Sequence, residues 1–415
     1  MLASTVIRDA RRAGFPIRAL TPIGSLRRYS PDIGDVSLLA IAPPDRYPNL
    51  LNVFTRLPFV TRVMSLGSAA ATVATDRGTV TLHFAAPEDS GAALVWHTGS
   101  RRHTARLRER ALSRGLRLQD GQLFRSTGER ITVLTEDELY RHLDLPFIAP
   151  ELREGTGELE AAERGELPAL VSDLHIRGDL HMHSTWSDGR NTIEEMVAAA
   201  AQLGYQYVAI TDHSESAWSS RKLARADVPR QHEEIDAVRA AISNIDILRG
   251  IEVDIMHDGS LDFDDETLAG FDIVLASLHD HAGHDGARLT DRYLQAIRHP
   301  LVNVITHPAN RSPALTPGYD LDFDALFAAA AETGTAMEID GAPGHLDMDG
   351  PLARRAVAAG VTVAIDSDCH RADALARQMR FGLGTARRGW IEPHHVLNAR
   401  SVDAVRAFVA RKRER

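Results

Sequence analysis

Two histidines and an aspartate lie within one short segment, GDLHMHSTWSDG at residues 178–189. His181 and His183 are two residues apart, and because side chains alternate along a β-strand, both imidazoles would point to the same side. Asp188 follows in the next turn. Imidazoles and a carboxylate at this spacing are typical ligands of a divalent metal ion, so the segment predicts part of a metal site.

Residues of the same types stand at the ends of five further apolar runs. The segments YVAITDH, GIEVD, ASLHD, VITHP and VAIDSDCH supply six more candidates: His213, Glu252, His279, His307, Asp368 and His370. A single histidine at a strand end is more often a loop or capping residue than a ligand. Nine such residues at successive strand ends would leave costly unpaired groups unless they bound metal ions. We therefore predict that all nine are metal ligands.

The composition of this set narrows the chemistry. Six histidines, two aspartates and one glutamate favour Zn²⁺, Mn²⁺ or Fe²⁺, since Mg²⁺ and Ca²⁺ prefer oxygen ligands. Nine ligands suffice for three ions per chain, with Glu252 as the natural bridging carboxylate. Such ions activate a water and clamp phosphate oxygens, which indicates phosphoester hydrolysis. A binuclear amidohydrolase could use the same residue types, so they leave the cleaved bond undecided.

The elements that would position these residues alternate regularly from residue 176 onward. Short apolar runs are separated by helical stretches such as TIEEMVAAAAQLG and DALFAAAAETG, and this repeat predicts parallel strands with helical crossovers. The length of the region suits a barrel better than an open sheet, and active sites of such barrels form at the C-terminal strand ends. Before it, prolines, glycines and acidic residues predict a linker over residues 148–175.

The first 147 residues show a different pattern, which indicates a smaller α+β domain. VSLLAIA predicts a strand, and AATVAT followed by TVTLHF predicts a β-hairpin. Thr135 and Glu138 form the sequence signature of a helix N-terminal capping box. Helices are predicted over residues 4–14, 49–57, 105–115 and 135–143.

Composition and charge limit the function classes. The chain of 415 residues has a net charge of −10, which argues mildly against nucleic-acid binding by the protein as a whole, yet residues 1–150 carry +6 and the remainder −16. The acidic, histidine-rich part suits a divalent-metal site, although a solvated acidic surface would have the same charge. The single cysteine, Cys369, excludes a disulfide within the chain and a cysteine-based zinc cluster. The sequence shows no long apolar run or signal peptide, so we expect a cytoplasmic protein without a membrane partner.

The motifs resemble, in order along the chain, those of the PHP (polymerase and histidinol phosphatase) domain. They are GDLHMHSTWSDG, YVAITDHS, GIEVDI, SLHD, ITHP and SDCH, within about residues 176–400. All nine metal-ligand positions of that family are filled here. The resemblance implies a distorted (β/α)7 barrel holding three metals, with phosphatase or nuclease activity. The segments GYDLDFDALFAAAAETGTAMEIDG and GLGTARRGWIEPHHVLNAR look most like the C-terminal PHP domain of bacterial family X DNA polymerases.

The first part of the chain is similar to the palm and thumb of the same polymerases, and so to a nucleotidyltransferase-like domain. IGSLRRYSPDIGDVSLLA resembles their palm signature, in which Gly24 and Ser25 would bind a triphosphate. Asp35 occupies one carboxylate position of that signature, but Ser37 and Thr81 stand at the other two. Two missing carboxylates weaken a site for divalent ions, so we expect polymerisation to be lost. We also expect the DNA-binding helix-hairpin-helix region of those enzymes to be absent, because few residues precede the palm signature.

The predicted organisation is therefore a degenerate palm/thumb-like domain at 1–147, a linker at 148–175 and a PHP phosphoesterase domain at 176–415. Two further residues receive catalytic roles. Asp212, beside His213, would orient a ligand, although a capping role fits equally well. Arg311 would bind substrate phosphate.

Three functional hypotheses remain open. The first is a phosphoesterase that acts on DNA, an end-processing or 3′–5′ exonuclease activity in repair without polymerase activity. The second is a small-molecule phosphomonoesterase of the histidinol-phosphatase type, which the net charge favours. The third is a non-catalytic polymerase remnant that binds DNA or a partner and holds structural metals.

Overall fold

The structure is a computed structural model that describes residues 2–17, 19–217, 219–313 and 315–414. The chain divides into two compact units, Met1–Leu167 and Pro168–Arg415. The division falls inside the segment predicted as a linker.

The first unit contains, among its described residues, seven helices and eight strands. The helices are α1 (Leu2–Arg12), α2 (Gly24–Arg27), α3 (Tyr47–Phe54), α4 (Ser90–Thr98), α5 (Arg101–Ser113), α6 (Glu136–His142) and α7 (Glu158–Arg164). The strands are β1 (Leu20–Pro22), β2 (Val36–Ile41), β3 (Arg62–Leu66), β4 (Ala70–Thr75), β5 (Gly78–Ala85), β6 (Leu116–Gln119), β7 (Gln122–Arg125) and β8 (Arg130–Ile131).

Five of these strands form one sheet in the order β1-β2-β5-β4-β3, and β6-β7-β8 form a second. Strands β4 and β5 make the predicted hairpin, whereas β2 and β5 run parallel. Alternate residues of the sheet, such as Leu38 and Leu82, are buried against Leu50 and Phe54 of α3. The four predicted helices are confirmed as α1, α3, α5 and α6, and α6 has the predicted capping box of Thr135 and Glu138.

The first half of the predicted linker is instead a packed part of the first unit. Glu158, at the start of α7, accepts a hydrogen bond from Nδ1 of His103 (2.7 Å), and both side chains are fully buried. Nη1 of Arg153 donates to Glu136 (2.7 Å), and Arg153 is fully buried as well. Acidic and glycine-rich composition suggested a linker, but composition does not reveal that charges of this segment have buried partners elsewhere in the unit.

The second unit contains, in its described part, seven strands and eight helices. The strands are β9 (Gly178–Asp179), β10 (Tyr207–Ile210), β11 (Asp246–Asp254), β12 (Ile273–Ser277), β13 (Val304–Ile305), β14 (Ala336–Asp340) and β15 (Val363–Asp366). The helices are α8 (Ile193–Gln202), α9 (Val228–Ala241), α10 (Asp265–Ala269), α11 (Gly286–Arg298), α12 (Phe323–Thr333), α13 (Gly350–Ala358), α14 (Leu375–Arg388) and α15 (Val402–Arg413).

The seven strands are parallel and adjacent in chain order, which confirms the predicted strand–helix repeat and the nearly closed (β/α)7 barrel. Strands β10, β12, β14 and β15 are buried at every residue, as expected for strands covered on both faces. Side chains join the first and last strands. Asp366 accepts from the amide of Leu180 (2.8 Å), and Asp179 accepts from the amide of Ser367 (3.2 Å). Because the strands are parallel, all their C-terminal ends face one side of the barrel.

Glycine at the start of β9 has a packing reason. A Cβ atom at Gly178 would lie 2.3 Å from the carbonyl oxygen of Tyr207 in β10, so a larger residue would push the two strands apart. The first residue of the segment GDLH thus brings the strand that leads into His181 close to its neighbour. Across the residues that the structure describes, no helix combines the length and the apolar character that crossing a membrane requires.

Candidate metal centre

The structure brings all nine predicted ligands together at the C-terminal ends of the barrel strands, and we call them the nine-residue cluster. His181, His183 and Asp188 follow β9, His213 follows β10, Glu252 lies in β11, His279 follows β12, His307 follows β13, and Asp368 and His370 follow β15. Within it, His181, His183 and Glu252 are completely buried, so their polar atoms contact protein atoms and not bulk water.

Glu252 lies at the middle of the cluster. Its Oε2 is 2.7 Å from Nδ1 of His213 and 3.4 Å from Nε2 of His181. Its Oε1 is 3.0 Å from Nε2 of His307 and 3.6 Å from Nε2 of His279. Oε2 is also 3.7 Å from Nε2 of His183, so each carboxylate oxygen faces a different set of imidazoles, and Glu252 would be able to hold metal ions together with these histidines.

Two further carboxylates gather the remaining histidines. Oδ1 of Asp368 is 3.1 Å from Nε2 of His183 and 3.7 Å from Nε2 of His181. Oδ1 of Asp188 is 3.1 Å from Nε2 of His370. Ligand atoms that all lie within 4.8 Å of one another define three overlapping groups: His183, Asp188, His213 and His370; His181, His183 and Asp368; and His213, Glu252 and His279.

Unpaired buried atoms test whether metal ions fit here. Oε2 of Glu252 and Nδ1 of His213 are only 2.7 Å apart, yet neither has a hydrogen-bond partner among the described residues. Nδ1 of His307 is also buried without such a partner. Because orphaned buried polar atoms are costly, and these are atoms that ligate transition metals, the residues present fit divalent ions.

The electrostatics also suit cations. Burial lowers the pKa of His181, but the carboxylates of Glu338, Glu252 and Asp368 outweigh burial and raise this pKa well above its usual range. Burial raises the pKa of Glu252, but the surrounding imidazoles hold it well below its usual range. Burial and two neighbouring histidines lower the pKa of His183 to about 3. The site thus stabilises positive charge among its carboxylates, and metal binding there would release protons from imidazoles.

Two residues that the sequence analysis missed hold ligands in place. Oε1 of Glu338, in β14, accepts from Nδ1 of His181 (2.7 Å), and its Oε2 accepts from the amide of His307 (2.8 Å). Asp254 accepts from Nδ1 of His279 (3.0 Å). Such bonds fix the ring orientation and leave the other nitrogen for a metal. A sequence signal existed for Asp254, which is the last residue of β11, and a weaker one for Glu338, which lies two residues before the end of β14 as Glu252 does in β11.

Asp212 lies beneath the cluster with both oxygens occupied. Its Oδ1 accepts from the amides of Ser184 (2.7 Å) and Ser187 (3.1 Å) and from the Ser187 hydroxyl (2.7 Å). Its Oδ2 accepts from the Ser184 hydroxyl (2.7 Å) and Nε2 of Gln231 (2.8 Å). These bonds fix the loop between His183 and Asp188, so the geometry gives Asp212 a positioning task.

Arg311 lies beyond β13, at a cavity of about 330 Å³ that Tyr319 and Asp349 also line. Its Nη1 is 3.3 Å from Oδ2 of Asp349, and its amide donates to Asp347 (3.4 Å). The guanidinium is thus held by a partly exposed carboxylate.

In the first unit, the predicted phosphate-binding and palm positions lie together. Gly24 has a positive φ of 67°, and a Cβ atom there would be 3.9 Å from Cβ of Ser37. Ser37 is the register partner of Thr81 and donates to Asp35 (2.9 Å). The three palm positions thus meet with one carboxylate among them. Ser25 follows Gly24 in α2, a helix of four residues.

Comparisons with known proteins agree with both units. Residues 93–154 match the DNA polymerase beta thumb family, and residues 179–311 match the PHP domain family. Over 392 residues, 94% of this chain and 68% of the relative, the sequence is 37% identical to "DNA polymerase/3′-5′ exonuclease PolX" of Bacillus subtilis (strain 168). The chain belongs to the PolX family.

Further similarities of this PolX-family chain cover a smaller share of its length. A "Probable phosphatase" of Syntrophotalea carbinolica is 30% identical over 239 residues, which cover 55% of this chain and 94% of that protein. A crystal structure of Leishmania infantum polymerase beta in a ternary complex has 19% identity and a TM-score of 0.33, over 36% of this chain and 73% of that chain. Together, the PHP match and the PolX and phosphatase relatives make this chain a metal-dependent hydrolase of phosphoesters.

Proposed function

We propose that this hydrolase acts on DNA, as a 3′–5′ exonuclease or end-processing enzyme in repair, and that it does not polymerise DNA. The observation that carries the proposal is the convergence of nine side chains, with unpaired buried atoms, in a family whose Bacillus subtilis member is named a polymerase and 3′–5′ exonuclease. The basic character of residues 1–150 supports a polyanionic substrate, since a net charge of +6 attracts phosphate backbones.

The nine-residue cluster would hold three ions of Zn²⁺, Mn²⁺ or Fe²⁺. When bound, such ions supply an activated water and stabilise the charge that develops on phosphate. The chain's own contribution is to hold these ions and to orient the side chains that bind them. Glu252 and Asp368 would offset the positive charge of bound ions, while Glu338 holds the ring of His181 and Asp254 holds the ring of His279.

Arg311 is the residue that we assign to substrate phosphate. A guanidinium presents paired donors that match phosphate oxygens. If a substrate phosphate took the place of the Asp349 carboxylate beside Arg311, the positive charge of Arg311 would stay compensated. Gly24 and Ser25 are assigned to a nucleotide phosphate or the DNA backbone. Arg27 and Arg28 beside them already pair with Glu136 and Glu154 (2.6 and 2.9 Å), so they would contribute less.

The absence of polymerase activity rests on the palm positions. Nucleotidyl transfer requires two divalent ions that carboxylates hold in place. Here Ser37 and Thr81 place hydroxyl groups beside Asp35, and the hydroxyl of Ser37 donates a hydrogen bond to that carboxylate. One carboxylate offers too little charge and too few oxygens for two ions.

The test is an activity panel with Mn²⁺-loaded protein. We expect 5′-labelled single-stranded, nicked or gapped DNA to shorten stepwise from its 3′ end, and a primed template with nucleotides to show no extension. A variant with His181→Ala and His183→Ala, purified in parallel, controls for contaminating nuclease and should be inactive. Primer extension by the wild type would refute the second part of the proposal.

A second candidate is a small-molecule phosphomonoesterase, which the "Probable phosphatase" of Syntrophotalea carbinolica favours because its match to this chain covers 94% of that protein. Histidinol phosphate and p-nitrophenyl phosphate in the same panel decide between the two. Turnover of these esters with intact DNA would replace the first proposal by the second. DNA binding without hydrolysis of any substrate would favour the non-catalytic remnant. The cytoplasmic location stays a prediction that cell fractionation can check.

A further inference from the structure

Two side chains beside the nine-residue cluster have no task in it. Asp340 ends strand β14, and His345 lies in the loop that follows. A ligand atom of each lies within 4.8 Å of the other and of a carboxylate oxygen of Asp368. This group is separate from the three groups described above except for the shared Asp368.

Both side chains point unpaired atoms into this space. Asp340 is fully buried, and its Oδ1 accepts from the amide of Ala342 (2.6 Å), but its Oδ2 has no hydrogen-bond partner in the part of the chain that the structure describes. Nδ1 of His345 is buried without a partner in the same sense. The ring of His345 stacks on that of His307, with centroids 4.9 Å apart and planes 19° apart, which fixes where its nitrogens point.

Negative charge predominates around Asp340. Its carboxylate faces those of Asp368 and Glu338, which outweigh the imidazole of His181. The oxygens of Glu338 already accept hydrogen bonds from His181 and from a backbone amide. A fully buried carboxylate among other carboxylates is stable only with a bound cation or a proton. An imidazole and two carboxylates around one point provide the mixed ligand set that Mn²⁺, Fe²⁺ or Zn²⁺ accepts.

We propose that Asp340, His345 and Asp368 form a fourth position for a divalent transition-metal ion, at the edge of the three-ion centre. The inference rests on the proposed function only in that Asp368 serves both. A fourth ion next to the centre would place additional positive charge beside a bound phosphate. It would also compensate Asp340 without the need for a proton.

The experiment counts ions in the full-length protein. Apo protein is saturated with Mn²⁺, passed through a desalting column and measured for Mn²⁺ per chain by mass spectrometry, while calorimetric titration counts the binding steps. The variants are Asp340→Asn and His345→Gln, which keep shape but remove a ligand atom. The control is His394→Gln, because that side chain is 68% exposed and lies away from the C-terminal strand ends.

We expect four ions in the wild type and in the control, and three in each variant, with the weakest binding step lost. Equal ion counts in the wild type and both variants would overturn the fourth position, whether that count is three or four. If Asp340→Asn does not fold, as judged by circular dichroism, His345→Gln alone decides. Failure of the proposed centre has a different signature, since the wild type would then bind no ions, or would lose none when His181 and His183 are replaced by alanine.

Discussion

Replacing Asp212 with alanine should destabilise the barrel unit and release Asp188 from the metal centre. The carboxylate accepts five hydrogen bonds, from two residues of the loop after β9 and from Gln231. The loop hydroxyls of Ser184 and Ser187 can turn to other acceptors. Their two amides and the Gln231 amide cannot, because the site is fully buried.

The magnitude follows from these three stranded donors. A buried donor left without a partner costs about 1–3 kcal/mol, and relaxation of the loop lowers the total, so we expect a loss of about 3–5 kcal/mol for Asp212→Ala. Asp212→Asn should cost far less, about 1–2 kcal/mol. Its remaining oxygen can serve the Ser184 and Ser187 amides, and Gln231 can rotate its amide because its own Oε1 lacks a partner among the described residues.

Urea denaturation of the metal-free protein measures the stability, and metal content and hydrolysis are measured on the loaded protein. For Asp212→Ala we expect the stability loss together with fewer bound ions. For Asp212→Asn we expect near-normal ion content and activity within about tenfold of the wild type. If Asp212 instead exchanged protons with the substrate, both variants would be equally inactive, and a stability change below about 1 kcal/mol for the alanine variant would contradict the hydrogen-bond reasoning.

Three further predictions concern other parts of the molecule. Glu338→Gln should weaken metal affinity about 10- to 100-fold by loosening the His181 ring, with unchanged circular dichroism; undiminished affinity in a Mn²⁺ titration would argue against an orienting role. Burial, and then a neighbouring imidazole, lower the pKa of His97 to about 3, so the unfolded chain binds this proton more readily than the folded chain. The contribution of a neutral His97 to the free energy of unfolding is therefore complete above pH 6.5 and is smaller by about 2–3 kcal/mol at pH 4.5. Urea titrations at pH 6.5 and pH 4.5 should show this loss in the wild type, and His97→Gln should remove it. The double variant Ser37→Asp and Thr81→Asp should gain a divalent-ion site in the first unit, seen as extra Mn²⁺ per chain; no gain would mean that the register pair does not face a common point.

Much of the barrel could be predicted from the sequence because its signals are local. Each strand is a short apolar run, each crossover has helical periodicity, and parallel strands bring their C-terminal ends to one side whatever the detailed packing. His181 and His183 could therefore be placed beside His307 without knowledge of a single contact. The same reasoning identified the hairpin of β4 and β5 and the capping box at Thr135.

The boundary between the units was harder to predict from the sequence. Whether an acidic, glycine-containing segment is a linker depends on whether its charges find buried partners. Glu158 finds His103, 55 positions earlier in the chain, and nothing local to either residue reveals that bond. Composition predicts how a segment behaves when it is solvated, and it cannot predict which of its charges become buried.

The same limit explains what the sequence revealed about the centre and what it did not. Ligand candidates are recognised by residue type and strand position, but a carboxylate that orients a ligand is defined by a contact across the barrel. Glu338 contacts His181 over a separation of 157 positions, and Asp340 is recognised as a candidate ligand only because it lies next to Asp368. Strand β14 carries both Glu338 and Asp340, yet the sequence assigned them no task because β14 contributes no residue to the motifs that supply the ligands. Glu338 lies two residues before the end of β14, as Glu252 does in β11, and Asp340 ends its strand, so position in the barrel is a more general guide to the centre than residue type.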